Sequence, residues 1–174
     1  MKILYHHRIA SKDGQYVHVE ELTNAFIEQG HELKFVAPSL NEQSDFGHDG
    51  GIVTKLKKLL PQALYEVLEF FYSFWVFAKL VKAIREFKPE FIYERYNLYQ
   101  PAGVWAAKLF KIPLILEINA PLVEERSRYS GLALKRFAKW TEDFTWRGAD
   151  HCLPVTDVLA DCVREAGVPE DKIT

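Results

Sequence analysis

The sequence predicts a Rossmann-like α/β domain, a doubly wound and mostly parallel sheet flanked by helices. Three observations predict it. Apolar runs of strand length alternate with longer stretches at helical spacing, the pattern of successive βα units. Glycines stand just past three of the helical stretches, where a left-handed cap favours them. Polar residues gather directly after the strands, and in an open parallel sheet that edge is where ligands bind.

The first strand is KILYH (2–6), too short an apolar run to serve as the core and cleavage site of a signal peptide. A turn containing Asp13, Gly14 and Gln15 leads into a helix over 16–29, closed by Gly30. The second strand is ELKFVA (32–37), and the polar, glycine-bearing segment 39–51 reads as a surface loop. A long helix over 62–87 follows; it carries Glu66, Glu69, Lys79 and Lys82, whereas a bilayer span needs about 20 nearly uncharged residues. Next come the strand FIYER (91–95), a helix over 100–110, the strand LILEI (114–118) and a helix over 131–147 followed by Gly148. The strand HCLPVT (151–156) and a helix over 157–166, closed by Gly167, complete the pattern; GVPEDKIT (167–174) reads as a turn into a further element.

The 174 residues, 48% hydrophobic and 14% aromatic, are enough for one domain with a full core. With 22 basic against 24 acidic residues the net charge is -2, which gives no electrostatic footprint for nucleic acid. Cys152 and Cys162 form neither a Cys-x-x-Cys nor a metal-ligand spacing, so no metal is expected and a reducing cytoplasm fits.

The chemistry is sought after each strand. After the first come His6, His7 and Arg8, then Gly14 and Gln15 ahead of a helix, where backbone N–H groups can approach a phosphate; a plain turn is the alternative. The dinucleotide and P-loop fingerprints are both missing from this turn, which speaks against a nicotinamide-dependent oxidoreductase. His18 sits among Val17, Val19 and Leu22 and reads either as a packing histidine or as a functional one. After the third strand stand Glu94, Arg95 and Tyr96; Arg95 can clamp a carboxylate or phosphate, or pair with Glu94, Glu117 or another neighbour. After the fourth come Glu117, Asn119, Glu124, Glu125, Arg126 and Arg128, a density beyond what a connector needs, with Pro121 turning the chain outward. Glu117 and Asn119 alternate onto one side of the strand. After the fifth, Thr156 and Asp157 can cap the last helix.

Three stretches together, KILYHHRIASKDGQYVHVEELTNAFIEQGHELKFVAP, FIYERYNLYQPAGVWAAKLFKIPLILEINAPLVEERSRYSG and GADHCLPVTDVLADCVREAGVPEDKI, resemble the N-terminal half of glycosyltransferase family 4. These are retaining enzymes of the two-Rossmann GT-B fold. The resemblance implies that residues 1–174 form an acceptor-side domain whose donor-gripping partner lies beyond Thr174, and that the chain alone does not transfer sugar. It implies a nucleotide-sugar donor, a glycan, lipid-linked or small-molecule acceptor, and no cofactor or metal.

Residue by residue, it implies that Gly14 and Gln15 match the loop near the donor phosphates, and that Glu94, Arg95 and Tyr96 match a strand end facing the cleft. Asn119 falls where many members carry a histidine near the transferred sugar. Asn119 and Glu117 are then the catalytic candidates, with His18, Glu124, Glu125, Arg128 and Thr156 as further binding candidates. An asparagine cannot take up a proton near neutral pH, so the departure at 119 removes any acid or base role there. The family's E-x7-E signature has three matches, Glu20/Glu28, Glu86/Glu94 and Glu117/Glu125, all in the half that does not carry it, and all read as chance. Two other readings stay open: a binding module without catalysis, and a peripheral contact with the inner membrane surface through KLKKLL (55–60) and the aromatic helix.

Overall fold

The computed structural model describes residues 1–9, 14–37 and 60–174, and of residues 14–16 the backbone only. The elements run β1 (Lys2–His6), α1 (Gly14–Glu28), β2 (Glu32–Val36), α2 (Gln62–Phe87), β3 (Phe91–Arg95), α3 (Ala102–Phe110), β4 (Leu114–Ile118), α4 (Leu122–Tyr129), α5 (Lys135–Gly148), β5 (His151–Pro154) and α6 (Asp157–Glu165), with a 3-10 turn at Glu170–Lys172. Asp13, the loop at 39–51 and the lysines 55, 57 and 58 lie outside the described residues.

The five strands form one parallel sheet in the order β2-β1-β3-β4-β5. The order reverses between β1 and β3, which places a topological switch point there. The strands are short, and the central ones, β1, β3 and β4, are covered on both sides, as crossover helices require: Ile3, Leu4, Tyr5, Ile92, Leu114 and Leu116 are all inaccessible to solvent. Beyond β5, Cys152 makes a single parallel bridge to Ile173, and the Thr174 N–H donates to the Cys152 carbonyl at 3.1 Å.

Alternation divides the core. Ile3, Tyr5 and Tyr93 pack on one face against Val19, Leu22 and Phe26 of α1. Leu4, Ile92, Leu114, Leu116 and Cys152 point to the other face, beneath α2, α3, α5 and α6. α3 approaches closely because its inner surface is Ala102, Gly103, Ala106 and Ala107. A β-carbon at Gly103 would stand 1.5 Å from the Glu94 carboxylate.

Three details differ from the sequence reading. Gly148 is the last helical residue of α5 and is followed by an extended cap at Ala149; a β-carbon there would come within 2.5 Å of Val104 Cγ1, so the glycine serves close packing and not a left-handed turn. Gly30 and Gly167 do have positive φ, 80° and 89°. The left-handed caps of α2 and α3 are instead lysines, Lys88 and Lys111. Finally, residues 122–129 form a helix, and α5 starts only at Lys135.

α5 owes its start to another element. Glu66 of α2 is fully buried, and its carboxylate accepts from the N–H of Ala133 and of Leu134, both at 2.8 Å, and from the Tyr99 hydroxyl at 3.0 Å. Those amides lie just ahead of α5, where N–H groups have no intrahelical partner. Tyr99 has φ of 61°, costly for an aromatic residue. The Glu66 bond and the stack on Phe137, 5.7 Å away, hold it there.

Candidate functional site

The carboxyl ends of β1, β3 and β4 bring the predicted residues to one edge, and alternation sorts them onto two sides. On the α1 side, Glu117 is a hub. Its Oε2 accepts from the Tyr93 hydroxyl at 3.1 Å and its Oε1 from Asn119 Nδ2 at 2.9 Å. Arg95 Nη1 stands 3.4 Å and His18 Nε2 3.2 Å from the same Oε1. Tyr5, stacked on Tyr93 at 5.2 Å, completes the cluster. Burial, and then the Glu117 charge, hold both tyrosine hydroxyls well above their ordinary pKa. They are hydrogen-bonding groups here, not proton donors.

On the other side, His6 Nδ1 lies 3.1 Å from Glu94 Oε2, without the alignment of a hydrogen bond. Both residues are buried, and Glu94 rests against the first turn of α3 at Gly103. Next to it His7 is buried and accepts from the Ile9 N–H at 3.2 Å; burial first, then the neighbouring His6 and Arg95, push its imidazole down to about 4. Of the eight buried side-chain polar atoms without an aligned partner among the described residues, five belong to Tyr5, His6, Glu94 and Arg95. Such atoms are rare and need a local explanation. These five gather at the ends of β1 and β3, at the switch point.

Tyr96 turns away from this edge. It is buried, and its hydroxyl donates to Glu142 at 3.1 Å, beneath α5. Glu124, Glu125, Arg128 and Tyr129 of α4 line an open cleft of about 360 Å³ with Asn119 and Pro121, and Glu124 pairs with Arg128. Gly14 opens α1 at its N-terminal end, where backbone N–H groups and the helix dipole favour anions; Gln15 follows in the same turn. Thr156 caps α6 by accepting from the Leu159 N–H at 3.2 Å, as expected, and borders a second cleft with Asp157 and Arg164. Among the described residues no group of three His, Cys, Asp or Glu side chains is arranged to hold a metal.

Comparison with known proteins gives this arrangement a family. The model of the glycosyl transferase 4-like domain matches residues 13–174. The chain belongs to that family. Among solved structures, HepE of Anabaena in complex with UDP and glucose superposes with a TM-score of 0.54 at 13% identity, over 100% of this chain and 43% of HepE. MurG of Acinetobacter baumannii gives 0.53 at 10% identity, over 99% of this chain and 44% of MurG. A putative UDP-N-acetylglucosamine 2-epimerase of Listeria monocytogenes gives 0.61 at 11%, over 99% and 44%. The glycosyl transferase 4-like chain thus spans under half the length of these proteins. At such identities the likeness shows the GT-B type of fold, which transferases and epimerases share. Among curated proteins, no sequence matches the chain.

Sequence reasoning named His18, Arg95, Glu117 and Asn119 and considered an Arg95–Glu117 pair, without seeing that all four meet. It passed over Tyr5 and Tyr93, which read as apolar strand positions. The signal available was their place near strand ends on the same face as Arg95 and Glu117, two residues apart in β3.

Proposed function

We propose that residues 1–174 are the acceptor-side domain of a glycosyltransferase that moves a sugar from a nucleotide-sugar to a hydroxyl of a glycan, a lipid-linked molecule or a small molecule. Transfer proceeds with retention at the anomeric carbon and without a metal. The observation that carries this reading is the convergence of His18, Arg95 and Asn119 on Glu117, at the carboxyl edge of a glycosyl transferase 4-like domain. Gly14 and Gln15 take the donor phosphates at the start of α1. Arg95 holds an anionic or hydroxyl group, Asn119 orients the transferred sugar through its free amide oxygen, and the α4 cleft with Glu124, Glu125 and Arg128 receives the acceptor. Glu94 and Tyr96 support this edge from below, and Thr156 sets the end of β5. HepE, solved with UDP and glucose, supports a sugar nucleotide as donor.

A second domain supplies the grip on the nucleotide, so residues 1–174 alone bind without turning over. The reaction takes place in the cytoplasm. No helix among the described residues is long and apolar enough to cross a membrane, and the exposed face of α2, with Leu64, Leu68, Phe71, Phe74 and Trp75, contacts the inner membrane surface from the side.

The test is Asn119→Ala in the full-length gene product. A fall in turnover of about tenfold or more with an unchanged melting temperature is expected of a group that meets the sugar. Unchanged turnover would mean that the amide only completes the Glu117 network.

A further inference from the structure

α2 presents a polar stripe near the carboxyl edge of the sheet. Tyr65, Glu69 and Tyr72 follow one another at i, i+4 and i+7, so they share one face of the helix, and all three are half-buried. Two arginines from other elements come down on that stripe. Arg126 of α4 donates from Nη2 to Glu69 Oε2 at 2.9 Å. The guanidinium of Arg8, just beyond β1, lies 4.9 Å from the centre of the Tyr72 ring. Neither arginine belongs to the Glu117 cluster, which occupies the other side of the sheet.

The charges on this stripe do not balance. Glu69 is the carboxylate whose charge acts on Arg8, and Arg126 already holds it. Arg8 makes no hydrogen bond or ion pair with another described residue. Burial pulls its pKa below the ordinary arginine value, Glu69 holds it up, and Arg126 opposes it. Both arginines in turn lower the Tyr65 hydroxyl, against the rise that burial and Glu69 impose. A guanidinium stays charged in such surroundings, so two positive charges stand against one negative. Behind Arg8 lies a cavity of about 10 Å³, lined by His6, His7, Tyr72 and Val76. It has room for about one water, so the guanidinium is not packed against solid protein on that side.

We propose that Arg8 and Arg126 form an anion subsite that takes the phosphoryl group of a phosphorylated acceptor. The inference rests on the transferase reading above and names the class of acceptor. The geometry favours phosphoryl over carboxylate. A carboxylate has two oxygens, which the fork of a single guanidinium satisfies, whereas the outer oxygens of a phosphoryl group can be shared between two forks on different elements. Glu69 sets the direction of Arg126 through one nitrogen and leaves the rest of that fork for a ligand. The subsite also adjoins the cleft assigned to the acceptor. Glu124, Glu125 and Arg128 of α4 line that cleft, and Arg126, on the same short helix, turns to α2. An acceptor held by its phosphoryl group on the α2 side needs only to cross α4 to reach the cleft.

The experiment is calorimetric binding to the full-length gene product, which needs no turnover. Inorganic phosphate is the minimal probe; glucose 6-phosphate stands for a sugar phosphate and glycerol 3-phosphate for a lipid headgroup, with glucose and glycerol as uncharged controls. Phosphate should bind with a Kd on the order of 1 mM or tighter. The tighter ester, which names the source, should exceed its uncharged parent by about tenfold or more. Arg8→Gln and Arg126→Gln should each weaken that ester by about tenfold. Arg8→Lys and Arg126→Lys should weaken it less, since they keep the charge and lose the fork; they carry the same conclusion if a glutamine variant melts early. Arg85→Gln, exposed in the last turn of α2, removes the same charge and should stay within about twofold of the parent. Esters that bind no better than glucose and glycerol, or Arg8 and Arg126 variants no weaker than Arg85→Gln, overturn the subsite. An ester bound equally well with UDP present supports the acceptor role, whereas displacement by UDP puts the donor phosphates on these arginines and overturns it. Binding through both arginines without transfer from UDP-glucose counts against the transferase reading alone.

Discussion

Glu66→Ala tests the idea that α2 supplies the start of α5. The carboxylate accepts three hydrogen bonds, one from the buried Tyr99 hydroxyl and two from the amides of Ala133 and Leu134, which are only partly buried. Removing a shared acceptor leaves each donor to meet its own desolvation. A buried hydroxyl costs about 2 kcal/mol and an amide that water can partly reach about 1 kcal/mol, so the loss totals about 4 kcal/mol. Against a domain stability on the order of 10 kcal/mol, this would move the urea midpoint far to the left. Tyr99→Phe removes one donor and leaves the carboxylate with two, so it should cost about 1 kcal/mol. The pair should be non-additive, because both single changes break the same bond. Native-state hydrogen exchange gives the local readout: the amides of Ala133 and Leu134 should exchange faster in Glu66→Ala while those of β3 keep their protection. A cost below about 1 kcal/mol, or unchanged exchange at those two amides, would refute the reasoning.

Two further outcomes are expected. His7 is buried with its imidazole pushed down to about 4 from an ordinary 6.5, so the unfolded chain binds a proton that the folded one resists. Stability should be full above pH 6.5 and fall as the pH drops toward 4, by about 3 kcal/mol in all; urea midpoints across that range should show the slope, and His7→Gln should flatten it. The exposed face of α2 should carry the domain to lipid: Phe71→Ser with Trp75→Ser should reduce flotation with phosphatidylglycerol vesicles several-fold, and equal flotation of parent and variant would remove this face from the membrane reading.

The layers of the fold were legible because the two periodicities are strong where the core is simple. β1, β3 and β4 coincide with the apolar runs, and α2 with the long helical one. α4 was not, since LVEERSRY buries only Val123 and so has no apolar stripe to read. Its signal was electrostatic: Glu124 and Glu125 in the first turn and Arg126 and Arg128 in the last, matching the helix dipole. The lysine caps were hidden because a positive φ at Lys88 or Lys111 is imposed by packing, not by residue type. At the site, alternation correctly put Glu117 and Asn119 on one side, and the Arg95–Glu117 pairing was among the partners considered. What the sequence withheld was distance. His18 and Glu117 meet only because α1 crosses the face that β4 shares, and Glu94 and Tyr96 face inward because α3 and α5 press on the other.

The two edges of the sheet bear on how the domain behaves in a crowded solution. An open strand edge is a template for any extended chain that drifts past, a second copy included. β2 meets that hazard with exposed charges at Glu32 and Lys34 beside an exposed Phe35. β5 meets it with Pro154, which has no N–H to offer, and with the short bridge through Ile173. Neither edge therefore presents an uninterrupted run of apolar residues with free backbone groups. Charge at one edge and proline at the other thus discourage pairing with a stray strand, whichever chain it comes from.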